Sequence, residues 1–101
     1  MKGRYFLMII TGHTMEELKD PTGILSGSRH EMMLAIEVPE DDEMYSESGL
    51  YIKAIFVQDG DESRIAQYQI IERDSESILD FELEEDEEAQ LLQYCKEAVT
   101  N

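Results

Sequence analysis

The stretch Arg29-His30-Glu31-Met32-Met33-Leu34-Ala35-Ile36-Glu37-Val38 decides the fold. His30, Met32, Leu34, Ile36 and Val38 alternate with Arg29, Glu31, Met33, Ala35 and Glu37. A period of two puts the first set on one face of an extended strand. One face is apolar and the other mixed, the pattern of a strand half buried against a core. Pro39 stops it, because proline has no N–H to give to a ladder. Glu40-Asp41-Asp42-Glu43 follows as an acidic loop.

Downstream, residues 50–58 carry Tyr51, Ile52, Ile55, Phe56 and Val57 on both faces, which predicts a central strand covered on both sides. Asp59-Gly60 opens a polar turn that runs to Ser63, a hairpin signal between two apolar segments. Residues 64–72 form the return strand, with Ala66, Tyr68 and Ile70 opposing Ile65, Gln67 and Ile71. A second polar turn, Asp74–Ser77, leads to a short strand in which Leu79, Phe81 and Leu83 alternate with Asp80 and Glu82. Upstream, residues 7–19 make a first strand of mixed polarity. It is closed by Asp20-Pro21-Thr22-Gly23, whose proline and glycine suit a turn, and then by Ser26-Gly27-Ser28.

The last segment reads as a helix. Leu91, Leu92, Cys95, Ala98 and Val99 form one stripe of a 3.6-residue period. The five acids Glu84 to Glu88 fall in its first turns, where the helix dipole favours negative charge, and Lys96 lies toward its C-terminal end. Burial of Leu91, Leu92 and Val99, at roughly 1.5–3 kcal/mol each, outweighs any single dipole contact, so packing docks this helix. Strands followed by one helix give an α+β fold. The expected architecture is an antiparallel meander of four to five strands with one C-terminal helix packed on one face. Residues 8–101 form the single domain, and residues 1–7 are expected to be a disordered extension, with Met8 as an alternative start.

Composition narrows the function. The chain has 101 residues, 24 acids against 8 bases, and a net charge of −16. With 42% apolar residues it has enough core for a globular domain, so the acid excess does not imply disorder. Nucleic acid and anionic membranes are excluded as direct ligands, since phosphate contact needs clustered Lys and Arg. The apolar run Tyr5–Ile10 is too short for a secretory signal, and no run approaches a bilayer span. A lone Cys95 rules out an internal disulfide and favours a reducing, cytoplasmic setting.

The acids are concentrated in two places, Glu37–Glu47 and Glu72–Glu88, the second holding ten acids and one base, Arg73. In water two unit charges about 6 Å apart repel by only about 0.7 kcal/mol, so a solvated face tolerates them without any functional reason. The functional alternative is a docking face for a basic protein, which acidic steering would speed.

No chemistry-bearing motif emerges. The frames starting at Asp41 and Asp59 place Ser46 and Arg64 where an EF-hand needs glycine. Cys95, His13 and His30 lack zinc spacing. Cys95 sits on the apolar stripe, where a thiol is inert, and His30 lies on the apolar face of its strand or at the edge of the core. Neither a nucleophile elbow nor a phosphate-binding glycine loop occurs. No catalytic residue, cofactor or metal ligand is therefore assigned, and the balance is against an enzyme.

Gly23–Arg29 and Met44–Tyr51 place apolar and aromatic residues inside turn chemistry. They either fold onto the core, with Arg29 pairing with an acid, or act as a pair of recognition loops.

Asp20–Gly27, Ile36–Glu43, Tyr45–Tyr51, Arg64–Tyr68 and the acidic helix ending in Cys95-Lys96-Glu97 resemble a family of small acidic proteins from Bacillus-like bacteria. The resemblance spans roughly residues 8–98. It implies a bacterial cytoplasmic setting, and because that family is a domain of unknown function it lends no catalytic residue, ligand or partner.

The sequence thus supports a protein-interaction or accessory module for a basic partner, with Arg29, Tyr45, Glu84, Glu85, Glu87 and Glu88 as candidate contacts. The alternative is a small-molecule or enzymatic domain using the cleft near the Gly23–Arg29 loop. The chain is expected to be a monomer, or a weak homodimer joined through a strand edge.

Overall fold

Met32, Leu34 and Ile36 are 0, 0 and 3% exposed, so the apolar set of the deciding stretch is the heart of the core. A computed structural model describes residues 8–19, 22–23, 27–41 and 45–100. The elements are β1 (Ile9–Leu18), β2 (Ser28–Glu37), β3 (Leu50–Asp59), β4 (Glu62–Glu72), β5 (Ile78–Leu79) and α1 (Glu85–Thr100). They form one five-stranded sheet in the order β1-β2-β3-β4-β5, every pair antiparallel. The helix covers one face, as the meander reading expects of an α+β fold. The expected extension at residues 1–7, the Asp20-Pro21 turn and Ile24–Ser26 lie outside the described residues, as do Asp42–Met44.

Leu34 pairs with Ile52 and Ile52 with Ile70, giving an apolar row beneath the helix. Leu91 and Cys95, both fully buried, press onto it from α1. Gln90 Nε2 donates to the Met8 carbonyl at 2.7 Å, and the Tyr94 hydroxyl shares a 2.8 Å hydrogen bond with His13 Nδ1. These contacts tie the helix across the sheet to β1.

Four details differ from the sequence reading. Ile65 does not oppose Tyr68 and Ile70 but joins them against the helix. A bulge between Ile55 and Phe56 leaves Ala66 without a partner and shifts the face of every residue before it. The last strand is only Ile78–Leu79; Phe81 and Leu83 alternate because they line the core edge, where the Leu83 N–H donates to the Tyr68 hydroxyl at 2.9 Å. β3 is central, as expected, yet among the described residues no element covers its second face. Finally, the last helical turn has no base: Lys96 falls before it, and Thr100 Oγ1 donates to the Lys96 carbonyl at 2.8 Å.

Two glycines earn their conformation. Gly60, at φ +63°, is the first central residue of the two-residue Gly60-Asp61 hairpin, where only glycine is unstrained. Gly27, at φ +77°, lies so close to β3 that an added Cβ would overlap the Gln58 carbonyl oxygen and meet the Asp59 Cβ at 2.9 Å.

Candidate functional site: an acid-rimmed groove beside β4

β4 pairs with β3 along its whole length but with β5 only at Ile70 and Ile71. Between Glu62 and Gln69 its outer edge therefore has no strand partner among the described residues. The start of α1 and the Phe81–Leu83 segment flank this edge and leave a groove of two adjoining parts. One, about 390 Å³, is lined by Ile65, Ala66, Gln67, Tyr68, Phe81 and Leu91, with Glu82 and Glu88. The other, about 380 Å³, shares Ile65 and Glu88 and adds Glu85, Ala89 and Leu92. The floor is apolar, and Glu82, Glu85 and Glu88 stand exposed around it.

Local sequence builds this rim. Glu85 and Glu88 are three residues apart in a helix and so share a side. Glu87 points the other way. It is 1% exposed, and its Oε1 accepts the Glu84 N–H at 2.8 Å. With Glu84 as the residue before the helix, this is the returning half of a capping box. The Glu84-x-x-Glu87 spacing carried the signal, hidden because the usual Ser or Thr is replaced by Glu84. Of the four candidate acids, then, Glu85 and Glu88 reach the groove, Glu84 is half-buried at the cap, and Glu87 is committed to the helix start.

Tyr68 and Cys95 illustrate how burial acts here. Burial raises the Tyr68 hydroxyl above its ordinary value, partly offset by the Leu83 amide that it accepts. The Cys95 thiol is pushed up to about 11 by burial alone, far from a reactive thiolate.

Arg29 and Tyr45 are not brought together. Successive loops of a meander fall at opposite ends, and the length of β2 separates Arg29 from Glu37 by about 26 Å. Arg29 lines a cleft of about 460 Å³ with Asp59, Asp61, Glu62, Arg64 and Lys96; its Nε is buried without a hydrogen-bond partner. Tyr45, 40% exposed, borders a separate cleft of about 320 Å³ with Glu37, Val38 and Ser46. Arg29 and Tyr45 therefore line separate clefts at opposite ends of the sheet. His30 stands at the core edge opposite Phe56, half-buried, its Nδ1 also without a partner.

Glu72, counted among the surface acids from sequence, has a structural post. It accepts Ser46 Oγ at 2.8 Å and Ser75 Oγ at 2.6 Å, joining the β2–β3 loop to the β4–β5 turn. Those two hydrogen bonds, that from Ser75 first, hold its carboxyl below the usual range. No spacing rule links residues 26 positions apart, so sequence reading had no route to this contact. Among the described residues no three His, Cys, Asp or Glu side chains converge as metal ligands, and no helix is long and apolar enough to cross a membrane.

The fold and groove define a class: a small α+β domain of one antiparallel sheet with a helix on one face and an open edge beside it. Within that class the chain belongs to the DUF6509 family, a family of unknown function, whose pattern matches residues 8–101. No curated protein and no solved structure matches the chain.

Proposed function

We propose that the protein is a cytoplasmic interaction module of Bacillus-like bacteria that takes up an extended, basic segment of a partner protein along β4. The observation that carries this reading is the coincidence of an unpaired strand edge, an apolar floor and the Glu82, Glu85 and Glu88 rim in one groove. A strand added to an open edge gains main-chain hydrogen bonds, while alternate side chains enter the groove and the rest meet the carboxylates. The reducing setting is supported by the single buried Cys95.

Fluorescence anisotropy tests it with labelled ten-residue peptides alternating Lys with Val or Leu. Binding should weaken as salt rises and fall by roughly tenfold in a Glu85→Gln/Glu88→Gln variant, which leaves the Glu87 cap intact. Equal binding of Asp-containing peptides, or no loss in the variant, would overturn the reading.

A second reading has one observation in its favour: Arg29, Arg64 and Lys96 line the 460 Å³ cleft at the end of β2, beside the loop containing Gly27. Bases are scarce in this chain, and three of them share this cleft with Asp59, Asp61 and Glu62, a lining that suits a small ligand bearing both an anionic and a cationic group. A thermal-shift screen of carboxylates and phosphates that also carry a cationic group, repeated with Arg29→Ala, distinguishes this use from the β4 groove.

A further inference from the structure

One face of the sheet is apolar and carries the helix; the other is mixed, and among the described residues no element covers it. On the helix-free face the register assembles a continuous row across all five strands, Gly12, Ala35, Tyr51, Ile71 and Ile78. Ile78 at its end is 61% exposed, and Ile9 and Leu18 on the same face are 59 and 37% exposed. A groove of about 350 Å³ follows the row between Thr14, Met33 and Arg73. A layered domain buries both faces of such a sheet, and here the second layer has to come from outside the described residues.

We infer that this face is the contact surface for a second copy of the same chain, packed sheet on sheet. Charge selects that occupant. In a chain of −16, this face carries interspersed charges of both signs, unlike the acid-rich end of α1. Their distribution is uneven: Glu16, Glu31 and Glu37 with Arg29 lie on the β1–β2 side, and Lys53, Arg64 and Arg73 with Asp59 and Glu62 on the β3–β4 side. A two-fold axis running along the strands sets β2 of each copy over β3 of the other. It lays the apolar row on its own counterpart and brings Glu31 of each copy toward Lys53 of the other, whose present partner at 3.7 Å is Glu31 of its own chain. Such a patch is self-complementary, which is what an isologous dimer requires. A strongly basic or strongly acidic partner would find no matching field here.

The size is adequate. Ten-residue strands rising about 3.3 Å per residue and spaced about 4.8 Å apart give a face of roughly 33 by 19 Å, or roughly 600 Å² in plan. Two such faces reach the lower end of specific interfaces, so the dimer is reversible rather than permanent. Face-to-face packing differs from pairing of strand edges, which would lengthen the sheet instead of doubling it.

The test is sedimentation velocity of the full chain over a concentration and salt series, joined to small-angle scattering. Expected is a reversible dimer that tightens with added salt, because screening relieves repulsion between two copies of −16. The particle should be compact, with sheets about 10 Å apart, built from monomers of 14.3 Å radius of gyration. Ile78→Glu, at an exposed position, should raise the dissociation constant at least about tenfold with an unchanged circular dichroism spectrum. Met33→Glu, in the groove, should do the same and serves as an independent second probe. A monomer at all concentrations overturns the inference. So does an elongated dimer, a dimer indifferent to both variants, or one that forms only after removal of residues 1–7, which would make that segment the occupant.

Discussion

Neighbouring residues of the same strand live in different worlds on the two faces of this sheet. Under the helix, Phe56, Leu34 and Ile52 are fully buried among Leu91 and Cys95. On the other face Met33, Ala35, Tyr51 and Ile55 are only half-buried, and Val57 and Ile71, though buried, stand outside that core. Both faces carry apolar side chains, but the open face interleaves them with charges such as Arg29, Glu31 and Lys53, and among the described residues no second layer lies on it. Hydrophobicity marks such a face as wanting cover without saying what covers it.

That contrast predicts a graded series of substitutions. Phe56→Ala should cost the most, about 3–5 kcal/mol, read as a drop in the urea midpoint at constant slope. Gly27→Ala should follow at about 2 kcal/mol or more, because φ +77° is strained for alanine and the Gln58 carbonyl leaves no room for its methyl. Glu87→Ala, which removes the buried cap, should lose about 1–2 kcal/mol and fray the first turn of α1 in hydrogen exchange, whereas Glu85→Ala should leave that turn protected.

Alkali attacks the helix-covered face selectively. The Cys95 thiol is held up to about 11 in the folded protein, against 9.0 for an ordinary thiol. Between those values the unfolded chain binds fewer protons than the folded one, so stability falls as pH rises. The slope is up to about 1.4 kcal/mol per pH unit from this group, and Cys95→Ala should remove its contribution in melts across that range. Smallest of all is Met33→Ala, about 1 kcal/mol or less in the monomer. A loss as large as that of Phe56→Ala would mean that the two faces are equally covered and would erase the contrast.

The fold was largely legible. Alternation in β2, the two-faced β3, the Asp59-Gly60 turn and the apolar stripe of α1 are short-range patterns that local geometry reads directly. Ile65 was misplaced because a bulge changes parity by one residue, and nothing in Arg64-Ile65-Ala66-Gln67 announces it. Phe81 and Leu83 alternate like a strand, yet β5 ends at Leu79, since two-fold alternation is equally served by an extended segment lying along a core edge.

The candidate site was only half legible. The acids before α1 stood out, but three of them acquired different tasks: Glu85 and Glu88 on the groove rim, Glu87 beneath the helix. Which side of a helix faces solvent depends on where it docks. The separation of Arg29 from Tyr45 follows from meander geometry, once the number of strands between their loops is known.

Sequence by itself determined the strands, the helix, the net charge of −16 and membership of an acid-rich α+β chain, because these follow from periods of 2 and 3.6 and from counting. Tertiary structure alone decided that β5 stops after two residues, that Glu87 is buried and Glu88 is not, that Glu72 joins two turns, and that one mixed face has no covering layer among the described residues. Those are contacts between residues distant in the chain, set by register, bulges and helix docking, and no local pattern encodes them.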